Sequence, residues 1–319
     1  MTGSLTGGPA RRIDVCVCTF RRAQLVETIR SLAALELPPD VELGIVVADN
    51  DMTPSARERV AALAETVPHP IRYVHAPAGN ISIARNACLD HCTGDFAAFI
   101  DDDETASPAW LAALLATAEE TGVAAVLGPV RAHYDVAAPR WMRDGDFHST
   151  APVWVGGEIR TGYTCNVLLR LTSPALARRR FDLALGQSGG EDTDFFSRLH
   201  EAGGKIAFAP DAWVEEVVPA SRASFAWLAR RRFRMGQTHG RQLCRGRGMA
   251  GRVMQWALAG GKAGYCFAAA VPFVVMPARR NRHLLRGLLH VGAMSGLAGM
   301  REIRQYGQVL QGGASGHAA

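Results

Sequence analysis

FAAFIDDDE, residues 96–104, runs five apolar residues straight into four acids. A short apolar run of this kind reads as a buried strand, so Asp101, Asp102, Asp103 and Glu104 stand together at its carboxyl end. Carboxylates crowded in this way repel one another unless a cation compensates. A hard divalent ion is the natural compensator, because Mg²⁺ or Mn²⁺ is held by one or two carboxylates and completed by substrate phosphates. The other reading, an acidic helix start stabilised by the helix dipole, accounts for Glu104 better than for three successive aspartates.

Outward from this stretch, strand and helix patterns alternate. Apolar, β-branched runs at 13–19 (IDVCVCT), 42–48 and 71–75 predict strands, and amphipathic stretches at 25–35, 55–65 and 82–91 predict helices. A helix over 108–119 takes Ser107 as N-cap and Pro108 as its first residue, and a strand over 123–130 closes the series. Such alternation predicts an α/β fold: a mostly parallel sheet covered by helices, with ligands at the carboxyl ends of its strands. The regularity then stops. Residues 131–152 read as a long functional or mobile loop carrying Tyr134 and Trp141, with Trp154 just beyond it. Strands at 165–171, 205–209 and 213–217 follow, with a helix at 192–202 stopped by Gly203 and Gly204.

Three further segments carry candidate chemistry. Asp49, with Asn50 and Asp51 after the second strand, either accepts from a nucleobase N–H or ribose hydroxyl or leads the next helix. GNISIARN, 79–86, opens a helix and offers backbone N–H groups and Arg85 to a phosphate or base. GGEDTDF, 189–195, places Glu191 and Asp192 at a helix start, where acids suit the dipole. One of the two could be a general base, which needs a carboxylate within about 3 Å of the hydroxyl it deprotonates. Spacing alone leaves cap and base equally open.

The 319 residues, 48% hydrophobic and 20% charged, suit one large domain, or a domain with an appendage, and exclude disorder as the main state. Seven cysteines without a CxxC pair point to a reducing cytoplasm rather than a disulfide framework. The N-terminal MTGSLTGGPARR has no apolar region, so no secretory leader is expected. Charge divides sharply: residues 221–310 hold fifteen arginines and one lysine against Glu302, a net +15, so the remainder of the +5 chain carries −10. This basic segment reads as helices with uncharged runs at 263–278 and 287–300, shorter than the ~18 residues of a comfortable span. Arginines at 230–234 and 279–286 flank those runs like headgroup anchors. An anionic membrane surface is therefore the expected partner, and nucleic acid is not, because no binding motif accompanies the charge. A helical subdomain with a solvated arginine face is the plainer alternative.

Taken together, VCVCTFRR (15–22), Asp49, 80–86, the DxD-type Asp101-Asp102-Asp103 and 189–195 resemble a family-2 glycosyltransferase of the GT-A fold. The likeness covers about 13–217 and is nearest to bacterial exopolysaccharide enzymes of the succinoglycan type. It implies a GT-A domain over 11–220, and the charge of the remainder makes 221–310 the expected membrane-associating helical extension. It implies roles as well: Thr19 and Arg22 line the nucleotide pocket, Asp49 meets the base, Arg85 steadies the nucleotide, and Asp101 and Asp102 face the nucleotide sugar. Asp103, with Asp101 beside it, holds the divalent metal, and Asp192, with Glu191 as its neighbour, is the base. His239 could reach the metal or diphosphate, although a lone histidine in a basic helix is ordinarily a surface residue. The implied reaction is metal-dependent, inverting transfer from a nucleotide-sugar donor to a saccharide or lipid-linked acceptor. It would serve polysaccharide or glycoconjugate biosynthesis on the cytoplasmic, inner face of the cell membrane. The QxxRW signature of processive synthases is missing, since QTHGR at 237–241 has the wrong spacing and no Trp, so one sugar per encounter is expected.

Asp101-x-Asp103-x-Thr105 also spells the nucleophile motif of haloacid-dehalogenase-like phosphatases, with Glu191 and Asp192 as a later acidic pair. In that family the nucleophile ends the first strand and a lysine lies between the clusters. Here three strand–helix units come first, and Lys205 follows both clusters. A non-catalytic membrane-bound scaffold is a third reading, which the intact acids oppose. Release of nucleotide from a sugar nucleotide separates the three. A dinucleotide dehydrogenase is disfavoured because no GxGxxG follows the first strand.

Overall fold

Strands β1 (Arg11–Thr19), β2 (Val41–Asp49), β3 (Ile71–His75) and β4 (Phe96–Asp101) pair in parallel in the order β4-β1-β2-β3. Helices α1 (Leu25–Ala33), α2 (Arg57–Ala64) and α3 (Ile81–His91) connect them in a computed structural model that describes residues 11–300. The N-terminal stretch read for a leader and the Glu302 end of the basic extension lie outside the described residues. Period-two alternation divides β1 between two cores. Ile13, Val15 and Val17 pack with Leu25, Ile29 and Leu32 of α1, while Cys16 faces Cys88 of α3 and Phe99. Burial on both faces is why these strands read as continuous apolar runs.

The chain continues through β5 (Glu104–Ala106), α4 (Trp110–Thr121), β6 (Ala125–Leu127), β7 (Val130–Tyr134), α5 (Arg140–Gly145), β8 (Trp154–Val155), β9 (Glu158–Ile159), β10 (Asn166–Arg170), α6 (Glu191–Glu201), β11 (Ile206–Phe208) and β12 (Val214–Val218). The main sheet is completed as β11-β6-β10-β4-β1-β2-β3, with only β10 antiparallel to its neighbours. A second sheet, β5-β12-β7, stands beside it, and β8 and β9 form a hairpin. The architecture is the expected α/β fold with a mostly parallel central sheet and flanking helices.

Four local expectations change. The run 123–130 is two strands in two sheets, broken at Gly128-Pro129. There Asn166 donates to the carbonyls of Pro129 at 3.0 Å and Ala212 at 2.7 Å, and a Cβ on Gly128 would lie 2.2 Å from the Ala212 oxygen. The segment near 213–217 joins the second sheet as β12. Ser107 caps nothing with its side chain: α4 begins at Trp110 after Ala109, and the Ser107 hydroxyl is buried without a hydrogen-bond partner. The stretch 131–152 contains β7 and α5, and it is a docking platform rather than a loose loop. Met142 and Phe147 form a cluster with Leu228 and Leu285, and Trp141 stacks edge-on against Phe147.

Leu228 and Leu285 belong to the C-terminal helices α7 (Phe225–Cys244), α8 (Met249–Ala270) and α9 (Pro277–Leu297). α7 and α9 meet through glycines. A Cβ on Gly236 would sit 2.0 Å from the Leu289 oxygen, and one on Gly292 2.0 Å from the Phe233 oxygen, so the backbones themselves touch. The apolar run that starts at 287 is therefore largely spent on protein contacts: Gly292, Ala293, Gly296 and Leu297 are buried against α7, and Gly287 lies under Phe267 of α8. It does not face outward as its composition suggested.

Strand register positions the site. Thr19 pairs with Asp49, Asp49 with His75, and Cys18 with Asp101, so the carboxyl ends of β1 to β4 lie at one level. The chain runs from β1 outward to β3 and then crosses to β4 on the other side of β1. This topological switch point is where open α/β sheets bind ligands.

Candidate active site

β4 leaves the main sheet at Asp101 and β5 enters the second at Glu104, so Asp102 and Asp103 form the turn between two sheets. The four acids consequently point to different places. Glu104 turns inward, 2% exposed, and accepts the Asp101 N–H at 3.0 Å. Asp102 accepts from the Thr19 hydroxyl at 2.7 Å. Asp103 faces two guanidinium groups, Arg22 at 3.2 Å and Arg222 at 3.7 Å, and Arg222 also binds Glu216 at 2.6 Å. Arg21, with φ +54° and a 2.8 Å bond to Asp51, makes the turn that leads into Arg22.

Burial pushes the Asp101 carboxyl up to about 7; Arg85 opposes this and the Asp103 and Asp102 charges add to it. Asp102 is raised to about 6 by burial against the pull of its Thr19 bond. Burial likewise raises Glu104 and Glu216. Among the described residues no three ligating side chains are grouped to cage a metal. Asp101 and Asp103 are the carboxylates of this turn that could hold a hard cation completed by phosphate oxygens.

The second acidic segment reaches the same place through Arg85, which lies 106 residues before Glu191. The Arg85 guanidinium, 5% exposed on α3, bonds Glu191 and Asp192 at 2.5 Å each. Asp192 is one of the charges acting on Asp101, so the clusters are neighbours. Gly190, at φ +93°, starts α6 with no side-chain cap, leaving three acids in the first turn to meet the helix dipole. The two acids differ in access: the Glu191 side chain is 3% exposed, whereas that of Asp192 is 25% exposed and accepts from the Thr164 hydroxyl at 3.1 Å. Glu191 Oε2 is buried without a hydrogen-bond partner.

Burial, then the Asp192 charge, raises the Glu191 pKa, and Arg85 opposes both. Glu191 therefore binds its proton more tightly folded than unfolded. Its contribution to stability is full below the ordinary glutamate range and is lost as pH rises through neutrality. Comparison with Glu191→Gln isolates this group from the other titrating residues. The Tm of wild type minus that of the variant should be larger at pH 5 than at pH 8. A difference that does not vary with pH would contradict the assignment.

The other candidates are placed as follows. Asp49 is fully buried and accepts from the Asp51 N–H, the Ala56 N–H and the Tyr73 hydroxyl, so it ties the loop after β2 instead of presenting a carboxylate. The N-terminus of α3 is occupied by the protein itself. The Asn80 side chain accepts from the Ser82 and Ile83 N–H groups, and the Ile81 N–H donates to the Gly186 carbonyl. Asn80→Ala removes this cap and its bond to the Leu183 carbonyl, and should lower unfolding free energy by about 1–2 kcal/mol in denaturant titration. Arg85 faces Glu191 and Asp192. His239 is exposed on α7, where desolvation and the Lys262 charge lower its pKa; its neighbour Thr238 is the side chain that meets Gly190.

This arrangement, acids and arginines at the switch point of a mostly parallel sheet, coincides with a match to the glycosyl transferase family 2 over residues 14–175. The chain is also 61% identical, over 295 residues, to the succinoglycan biosynthesis protein ExoM of Rhizobium meliloti strain 1021, covering 92% of this chain and 96% of that one. The chain belongs to glycosyl transferase family 2. It is a glycosyltransferase with exopolysaccharide relatives. The glucosyl-dolichyl phosphate glucuronosyltransferase of Haloferax volcanii is 26% identical over 246 residues, 70% of this chain and 75% of its own. In fold, the chain is similar to the mannosyltransferase PcManGT of Pyrobaculum calidifontis, solved with GDP-Man and Mn²⁺: TM-score 0.63, 20% identity, 90% of this chain and 87% of that one.

Within this family-2 glycosyltransferase, sequence reasoning missed Glu216, Arg222 and Thr164, which touch Arg222, Asp103 and Asp192 respectively. One signal was available. Glu215 and Glu216 interrupt the apolar strand WVEEVV, and on β12 Glu215 is exposed while Glu216 is partly buried, its side chain 17% exposed. The phosphatase reading falls with the family assignment, and β4 is the fourth strand rather than the first.

Proposed function

We propose that this glycosyltransferase moves a sugar from a nucleotide-diphosphate donor to a hydroxyl of a saccharide or lipid-linked acceptor, with inversion and one sugar per encounter. The carrying observation is that Asp192, the more exposed member of the pair on Arg85, lies beside the Asp101–Asp103 turn at the carboxyl edge of β1 and β4. An acceptor hydroxyl that reaches Asp192 gives its proton to that carboxylate as its oxygen attacks the anomeric carbon. The bond from that carbon to the diphosphate oxygen breaks on the opposite side, so a single displacement inverts the centre. Arg22 and Arg222, already against Asp103, are positioned to receive the leaving diphosphate. Asp101 and Asp103 would hold a divalent cation, Mg²⁺ or Mn²⁺, which when bound would neutralise the charge on that leaving group. Thr19 holds Asp102 in place, and Arg85 holds Asp192 in its orientation.

A lipid-linked acceptor is supported by the relative that acts on glucosyl-dolichyl phosphate. The basic extension supports a peripheral position on the cytoplasmic face of a membrane, with residues 11–220 as the transfer domain. Among the described residues no helix is long and apolar enough to cross a membrane. The test is a panel of sugar nucleotides with Mg²⁺ or Mn²⁺, read as a rise in Tm and as slow release of nucleoside diphosphate. No stabilisation and no release with any donor would overturn the reading.

A further inference from the structure

Helix α8 is built with its small residues inward and its large ones outward. Its buried stripe is Ala259, Ala263, Cys266 and Ala270, recurring every three or four residues, and α8 packs chiefly on α9. Apart from Phe267, which packs over Gly287 of α9, the large apolar side chains face away: Val253 is 59% exposed, Met254 60% and Tyr265 72%, and the turn after the helix adds Val271 and Val275 at 67% and 85%. A helix at a water boundary ordinarily does the reverse. Single exposed apolar residues are common on proteins, but a contiguous patch marks an interaction surface.

Charge identifies the occupant. Residues 221–300 hold thirteen arginines and one lysine and no acid, and Arg247, Arg252, Lys262 and Arg279 are all exposed along or beside α8. We propose that α8 and the turn 271–276 lie in the interface of an anionic bilayer, apolar side chains in the acyl boundary and these cations among the headgroups. A second copy of the chain fits poorly, because a two-fold contact would set the cations against their own counterparts with no acid to answer them. Arg252 and Lys262 within the helix keep it on the surface rather than across it, as the lack of a spanning helix among the described residues requires. This rests on the membrane reading above and names the element responsible. It also removes the run from 287 onward from lipid contact, since α7 covers it.

The full chain, Met254→Glu/Val275→Glu and the control Val136→Glu, at an 84% exposed position elsewhere, are compared by co-sedimentation with phosphatidylcholine vesicles with and without phosphatidylglycerol. Wild type and Val136→Glu should bind the anionic vesicles, less tightly in high salt. The double variant should bind at least about tenfold more weakly at unchanged Tm. The proposal is overturned if the double variant sediments like wild type, if wild type ignores anionic vesicles or binds neutral ones equally, or if ultracentrifugation shows a wild-type dimer that the double variant abolishes. Sugar-nucleotide stabilisation measured on the same samples reports the transfer reading separately, so failure of one is distinguished from failure of the other.

Discussion

Asp192→Asn should lower the rate of sugar transfer by about 10²-fold or more while changing donor affinity little. Asparagine keeps the volume, the start of α6 and an oxygen for the Thr164 hydroxyl, but it cannot take a proton from the acceptor. The expectation depends on access: the Asp192 side chain is 25% exposed and that of Glu191 3%, so an acceptor meets the first and not the second. Glu191→Gln should leave more activity, because the buried carboxyl serves Arg85 and the helix start. The measurement is single-turnover transfer alongside donor titration for both variants. If the Gln variant shows the large loss and the Asn variant does not, the base is Glu191; if both transfer normally, the pair is only a cap on α6.

Asp103→Ala should remove the tightening of nucleoside diphosphate binding by Mg²⁺ or Mn²⁺, a loss of at least about a hundredfold, without unfolding the protein. Asp103 is one of the charges that push Asp101 and Asp102 upward, so its removal relieves repulsion within the turn. Arg22 and Arg222 lose a partner, yet Arg222 retains Glu216. Calorimetric titration with and without the cation reads the effect directly, with circular dichroism as the check on folding. A variant whose diphosphate binding still tightens with the cation would remove Asp103 from metal binding, and full activity of wild type in chelator would remove the metal from the reaction.

The sequence by itself determined what depends on neighbours along the chain. Buried strands announce themselves by apolar runs, and IDVCVCT and FAAFI became β1 and β4 at the centre of the sheet. Gly203 stopped α6 where local chemistry placed it. The acids after β4 and the one-sided charge beyond residue 220 were legible for the same reason, since charge and hydropathy belong to residues before any fold exists. What only the tertiary structure decided are pairings between distant residues. Arg85 looked available to a phosphate, but packing of α3 against α6 set its guanidinium on Glu191 and Asp192. Asp103 found Arg222 from a segment with no motif of its own. The two apolar runs of the basic extension were alike in composition, yet glycines at matching positions on α7 and α9 let those backbones touch and buried one run, while α8 met its neighbour through alanines and left its large side chains outside. Composition sets how much apolar surface a segment carries; which part of it meets protein is settled by shape complementarity between helices far apart in the chain.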